Sequence, residues 1–513
     1  MVNTIPFSDR NSTSPSRGWG VCIRHLNLSY QQQLVLKDLS WTINRGENWV
    51  LTGISGSGKT TLAKIIATQA NTLEEVKVYL DLDSQLPAKV IFVESWYQFK
   101  NLEGVSNFYY QQRYTSNQSK EISSVHAELL SYGKEHELHF DQVEPILEAL
   151  GFSTFASSQL IELSSGEHKK LQLVKALWLK PQLLIIDQPY TGLDVTSRKN
   201  LNILLEDVVK EGVHLILISN DSELPNTITH FAEIIEGQLV EVDSVRNSPQ
   251  IATKSLREIP AFLKQPPVYS SKSIVEMVDI NIIYGEKQVL KNVNWSVEAC
   301  EKWLLQGANG SGKSTLLSLI SGDHPQSYAN DLSLFGSKRG SGESIWDIKQ
   351  HIGLISPEFH WYFDASATVW ESVASGFYDS VGLYQQLPYT KKMQVDELLE
   401  YFGLKEHKNN PLSSLSLGKQ RIVLLARTII KNPELLILDE PCQGLDVQQT
   451  HDFNLLVDKL SGNGMTLIYV GHFETALPSC LEKRIVLENG EVKSLENILK
   501  SVESVETFEH FNI

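Results

Sequence analysis

Two short strings in this chain carry the residue types that hold phosphate: GISGSGKTT from Gly53 to Thr61 and GANGSGKST from Gly307 to Thr315. In a G-x-x-x-x-G-K-[ST] string the glycines let successive backbone N–H groups point into one concavity, the lysine adds a full positive charge, and the next hydroxyl suits Mg²⁺. Gly307, Gly310 and Gly312, with Asn309 and Ser311 between them, shape the later loop; Lys313 reaches for the β and γ phosphates, and Ser314 and Thr315 follow. Gly53, Ser55, Gly56, Ser57 and Gly58 shape the earlier one, followed by Lys59, Thr60 and Thr61. An ordinary glycine-rich turn accounts for a bare GxG. It does not account for the full string between an apolar strand and an apolar helix, twice over.

Each loop has a carboxylate to match. LLIID ends at Asp187 and LLILD at Asp439, runs of four aliphatics that read as buried parallel strands. A carboxylate at the end of such a strand, beside a phosphate loop, is placed to hold the Mg²⁺ that bridges the phosphates. The expected metal set is therefore Thr60 with Asp187 and Ser314 with Asp439, and the expected ligands are a nucleotide and Mg²⁺.

These elements belong to an internal repeat. Tyr30 and Tyr284 each precede their loop by 23 positions; LSSGE at Leu163 recurs as LSLGK at Leu415; PQLLIIDQP at Pro181 recurs as PELLILDEP at Pro433; GLD occurs at Gly192 and Gly444. The offset stays at 252 to 254 positions across these landmarks, so one domain is present twice. We read residues 1–20 as a mobile tail, 21–247 as the first domain, 248–273 as a linker mixing Pro and Ser with short helical stretches, 274–495 as the second domain and 496–513 as an end piece. The expected fold is α/β, with a parallel sheet in each domain.

Bulk properties narrow the field of functions. The chain has 513 residues, enough for two cores, with 42% hydrophobic and 21% charged residues. Its net charge of −16 disfavours wrapping nucleic acid or resting on anionic lipid without a local basic patch. The four cysteines lie far apart without a C-x-x-C pair, which suggests no zinc ribbon, iron–sulfur cluster or disulfide framework and fits a reducing cytoplasm. No apolar run approaches the ~18 residues needed to span a bilayer. Peripheral attachment at a membrane, through a separate permease, stays open. NFYYQQRY, Asn107 to Tyr114, could stack on bases, but packing in a helical arm is the better reading because the surrounding charge is not basic.

Loop, LSxGx signature, aliphatic-Asp strand and GLD, in that order in both halves, resemble the ATP-binding cassette ATPases over residues 21–247 and 274–495. The resemblance implies two cassettes meeting head to tail, with each ATP between the phosphate loop of one and the signature of the other. By position, Ser164 and Gly166 then complete the site on Gly307 to Thr315, and Ser416 and Gly418 the site on Gly53 to Thr61. Tyr30 and Tyr284 match the aromatic that stacks on adenine; packing on a sheet surface is the alternative.

The halves diverge where the resemblance puts hydrolysis. Glu440 follows Asp439 and can polarise a water, whereas Gln188 follows Asp187 and cannot act as a base. The switch histidine is present as His472, while the matching first-half residue is Asn220. The expectation is one site that hydrolyses, with Glu440, His472 and Lys313 as its catalytic residues, and one that chiefly holds ATP. The family's lid glutamine has no clear match: Glu94, Ser95 or Gln98 stand near its place in the first half and Ser356 and Pro357 in the second, which weakens a simple transporter assignment. The stretch Gly322 to Gly353 resembles the narrower ModF or PhrA group of bacterial tandem cassettes, named for proximity to molybdate transport. Lys338 and Arg339, among its glycines, read either as an anion nest or as a solvated loop. The leading reading is a soluble mechanical ATPase acting on an unidentified protein partner. Three others stay open: the energising subunit of an importer, a translation-factor-type cassette protein, and a nucleotide-gated module without turnover. Nucleic acid is not the expected partner.

Overall fold

The computed structural model describes residues 20–30, 33–68, 76–79, 89–95, 123–153, 158–160, 163, 165–245, 258–284, 287–357, 366–380, 382–471 and 477–498. It divides into two compact units. One comprises Met1–Glu258, Ser356–Arg427 and Pro441–Phe453; the other comprises Ile259–Ile355, Thr428–Glu440 and Asn454–Ile513. The partition crosses the sequence repeat, because the first unit includes the signature and GLD segments of the second half.

The first unit contains a six-stranded sheet in the order Val90–Val93, Leu183–Asp187, His214–Ile218, Trp49–Thr52, His230–Ile235, Gln238–Val242, parallel except for its last strand. Trp49–Thr52 is central and buried at every position, so the loop that follows it leaves the sheet at a fixed point. Leu183 to Ile186 are fully buried, as a strand covered on both faces requires. Gly20–Tyr30, Gln33–Asn44 and Val76–Tyr79 form the strand-rich companion sheet, and Val125–Glu135, Glu144–Ala149 and Ser165–Trp178 the helical part. Leu129, Leu147, Phe152, Leu171, Val174 and Trp178 close a core beneath them.

The second unit repeats the sheet in the order Ile352–Ile355, Leu435–Asp439, Thr466–Val470, Lys302–Gly307, Lys483–Glu488, Glu491–Asn497. Its companion sheet runs Lys287–Glu298, Ser273–Tyr284, Asp331–Leu334, Ser337–Lys338. The duplication reaches side-chain detail. Trp41 meets Trp49 edge-on at 5.4 Å, as Trp295 meets Trp303 at 5.5 Å, and the indole N–H of Trp49 donates to Glu47 as that of Trp303 does to Glu301. The linker's second part belongs to this unit: Leu263 is buried, the Tyr269 hydroxyl donates to Gly464 O at 2.6 Å, and Ser270 donates twice to Glu434.

Candidate functional site: two phosphate loops and their carboxylates

Both loops end on a glycine in the left-handed region, Gly58 at φ 100° and Gly312 at φ 101°, and a helix begins at the next residue, Lys59–Ala67 and Lys313–Ile320. A Cβ there would lie 2.7 Å from Leu36 Cδ2 in the first loop and 2.6 Å from Leu290 Cδ2 in the second. A side chain there would press on that leucine and sit at a strained positive φ, so glycine is the residue that fits without adjustment. The loop's N–H groups and the helix N-terminus thus converge on one anion-binding concavity.

In the first loop Lys59 Nζ donates to Gly53 O and Ile54 O, both at 2.7 Å. Burial pulls its ammonium down to about 8, opposed by Asp187 and Asp446. Thr60 Oγ1 donates to Asp187 Oδ2 at 2.7 Å, and Ser95 Oγ donates to the same oxygen at 3.0 Å. The hydroxyl and carboxylate expected to share a metal are therefore side by side, and this hard-oxygen pair suits Mg²⁺ completed by phosphate and water. Within the same compact unit Ser55 N–H donates to Asp446 Oδ2 at 2.9 Å, and Ser416 Cβ lies 3.7 Å from where a Cβ on Gly56 would stand. Gly418 abuts the Gln449 side chain; a Cβ there would meet it at 2.7 Å. Gly166 sits in the first turn of the helix Ser165–Trp178. Tyr30 ends the strand Gly20–Tyr30.

In the second loop Lys313 Nζ donates to Gly307 O at 2.8 Å and Ala308 O at 3.0 Å, the arrangement of Lys59. Ser311 is buried, and its hydroxyl has no hydrogen-bond partner among the described residues. Ser314 and Thr315 open the helix, half-buried, and Asp439 ends its strand. Tyr284 ends the strand Ser273–Tyr284 and is 39% exposed. Ser164, His472 and Gln98, like Asn107 to Tyr114, lie outside the described residues.

The position after the strand aspartate has one backbone geometry and two chemistries. Gln188 has φ 51° and donates its N–H to Ile218 O at 2.9 Å; Glu440 has φ 43° and donates to Val470 O at 3.2 Å. Neither is glycine, so the chain holds a strained αL residue at the same point of both sheets, where such strain often accompanies function. Asn220, the first-half residue matched in sequence to His472, is tied back to the loop strand: its Oδ1 accepts from Thr52 Oγ1 at 2.5 Å and Gly53 N–H at 3.2 Å.

The family ABC transporter matches this chain twice, over residues 36–191 and 290–443. The chain belongs to the ABC family. It is 32% identical over 480 residues to the ABC transporter ATP-binding protein ModF of Escherichia coli, covering 86% of this chain and 92% of that protein. It is also 32% identical over 475 residues to an uncharacterized ABC transporter ATP-binding protein of Schizosaccharomyces pombe, covering 89% and 96%. Among solved structures, a nucleotide-free ATP-binding cassette from an ABC transporter aligns over 44% of this chain and 91% of its own length, with 21% identity and a TM-score of 0.38. The tandem cassettes are thus those of an ATPase, two α/β domains that bind ATP. No helix among the described residues is long and apolar enough to cross a membrane.

Sequence reasoning missed Lys169. Its fully buried Nζ donates to Glu94 O and Asp187 O, both at 2.8 Å, stitching two neighbouring strands where they reach the site, and burial pushes its ammonium down to about 7. The available signal was a lysine in register with Leu173 and Ala176 on the buried face of its helix. The anion nest suggested by Lys338 and Arg339 is corrected. Lys338 pairs with Asp331 at 2.7 Å, and buried Arg339 pairs with Glu343, whose carboxylate also accepts Gly340 N–H at 2.8 Å. The loop's own Glu343 takes the place of an outside anion.

Proposed function

We propose that this ABC ATPase holds two ATP between head-to-tail cassettes and hydrolyses mainly at the site built on Gly307 to Thr315. The observation that carries the asymmetry is the pair Gln188 and Glu440: equivalent backbone, equivalent strain, and a carboxylate on one side only. Glu440 accepts the proton of the attacking water, Lys313 and the loop N–H groups stabilise charge on the γ phosphate, and His472 contacts that phosphate. Ser314 and Asp439 would hold Mg²⁺, which neutralises charge between the β and γ phosphates when bound. Ser164 and Gly166 complete this site from the first cassette.

The head-to-tail part of the reading is supported by the first loop, where Asp446 and Ser416 of the second half lie against Ser55 and Gly56. There Gln188 and Asn220 leave ATP without a base, so it is retained and braces the pair. The work of hydrolysis is delivered to a separate protein partner. The name of the E. coli relative favours a second reading, an energising subunit for a separate permease. Phosphate release from Glu440→Gln and Gln188→Glu chains tests the asymmetry: loss of nearly all turnover in the first and little change in the second supports it, and half-retained rate in the first contradicts it. Purification of the Glu440→Gln chain from native cells in ATP separates the partner readings.

A further inference from the structure

The strand Ser273–Tyr284 outruns its partner. Asp331–Leu334 pairs only with Val275 to Val278, and among the described residues no strand continues along that edge to Tyr284. Side chains from residues 324–330 take over. Asn330 Oδ1 accepts Asn281 N–H at 2.8 Å; Gln326 Oε1 accepts Ile283 N–H at 3.3 Å while its Nε2 donates to Ile283 O at 2.7 Å. Gln326 imitates a backbone amide, pairing with both polar groups of one residue as a neighbouring strand would. Asn330 Nδ2 donates to Gln326 O at 2.9 Å, tying the two substitutes together.

The series ends on His324, which is 1% exposed and lies 2.6 Å from the Tyr284 hydroxyl through Nε2, with the rings edge-to-face at 5.7 Å. Gln326 N–H donates to Nδ1 at 3.1 Å, so Nδ1 is the acceptor nitrogen and the proton of the neutral ring sits on Nε2. Burial lowers the ring's pKa to about 4, which keeps the imidazole neutral at neutral pH. The imidazole therefore donates to the tyrosine oxygen and fixes the aromatic ring at the end of its strand. Counting from the phosphate loops, His324 corresponds to Ala70, and Thr68 to Glu75 contains no histidine.

We propose that His324 is the positioning residue of the base subsite in the second cassette, holding the Tyr284 ring in the orientation that receives adenine; the matching positions of the first cassette carry no histidine. This rests on the reading of Tyr284 as the base contact and of the second site as the one that turns over. The readout is KM for ATP in the full-length chain, alongside the Ki of inorganic tripolyphosphate, which occupies the phosphate loop but has no base. We expect His324→Ala to raise KM about five- to tenfold, consistent with losing an oriented aromatic contact, while the tripolyphosphate Ki stays within about twofold. His324→Gln, which keeps an N–H donor of similar reach, restores most of the loss. Tyr284→Phe, which keeps the ring and removes only the acceptor, raises KM like His324→Ala. Adding His324→Ala to Tyr284→Ala costs nothing beyond Tyr284→Ala alone.

If Tyr284→Ala raises KM while His324→Ala and Tyr284→Phe do not, the positioning role is overturned and the base contact stands. If Tyr284→Ala leaves KM unchanged, the base reading falls and the proposal with it. An equal rise in the tripolyphosphate Ki would mean that His324 supports only the fold.

Discussion

The first and second nucleotide sites share a frame and differ in what stands on it. In both, a lysine donates to the first two carbonyls of its loop, a left-handed glycine packs under the companion sheet, and the residue after the strand aspartate is held at positive φ by the adjoining strand. Gln188 against Glu440 and Asn220 against His472 are changes in proton chemistry on that common frame. On the proposed reading one fold keeps nucleotide in one place and consumes it in another, because binding uses backbone and lysine while hydrolysis needs a base.

The comparison is most easily broken at its base. Glu440→Gln should lower the rate of phosphate release by about 10²- to 10⁴-fold, the usual worth of a positioned base, whereas Gln188→Ala should change it by less than about twofold. The converse sharpens it: Gln188→Glu with Asn220→His, placed in a Glu440→Gln chain, should recover measurable phosphate release from the first site. No recovery would locate the asymmetry elsewhere, in Leu417 and Lys419 of the covering signature.

Smaller effects test the shared frame. Gly58→Ala and Gly312→Ala should each destabilise by about 1–3 kcal/mol in denaturant titrations, since both place a Cβ at strained φ and against a leucine methyl. A large loss at only one of them would show that the two loops are not built alike. Asn220→Ala should cost about 1 kcal/mol, the value of its bonds to Thr52 and Gly53, with no effect on turnover.

A pH slope tests the buried histidine of the second cassette. His324 has its folded pKa lowered by burial from 6.5 to about 4, so the unfolded chain takes up the proton first and stability falls as pH drops through that window. Thermal melts of His324→Gln should show a flatter slope between those values than the wild type, and an unchanged slope would remove His324 as its source.

Much of this was legible in the sequence because loops, aliphatic-Asp strands and signatures are contiguous strings whose chemistry follows from their letters. Gly58 and Gly312, Asp187 and Asp439, and the contrast of Gln188 with Glu440 are of that kind. What escaped depends on contacts between distant residues. Lys169 and Ser95 meet Asp187 only after two strands and a helix have packed, and Asn220 reads as a missing histidine until its bonds to the loop strand are seen. Likewise His324 reaches Tyr284 from forty positions along the chain. Glu343 could have been foreseen, since an acceptor three residues after a left-handed glycine is a local pattern.

The most direct measurement counts products. The full-length chain, loaded with γ-labelled ATP and chased with unlabelled ATP and Mg²⁺, is followed through a single turnover. The account predicts one labelled phosphate released per chain, with one labelled ATP still intact and bound. Release of both labels at the same rate would contradict it.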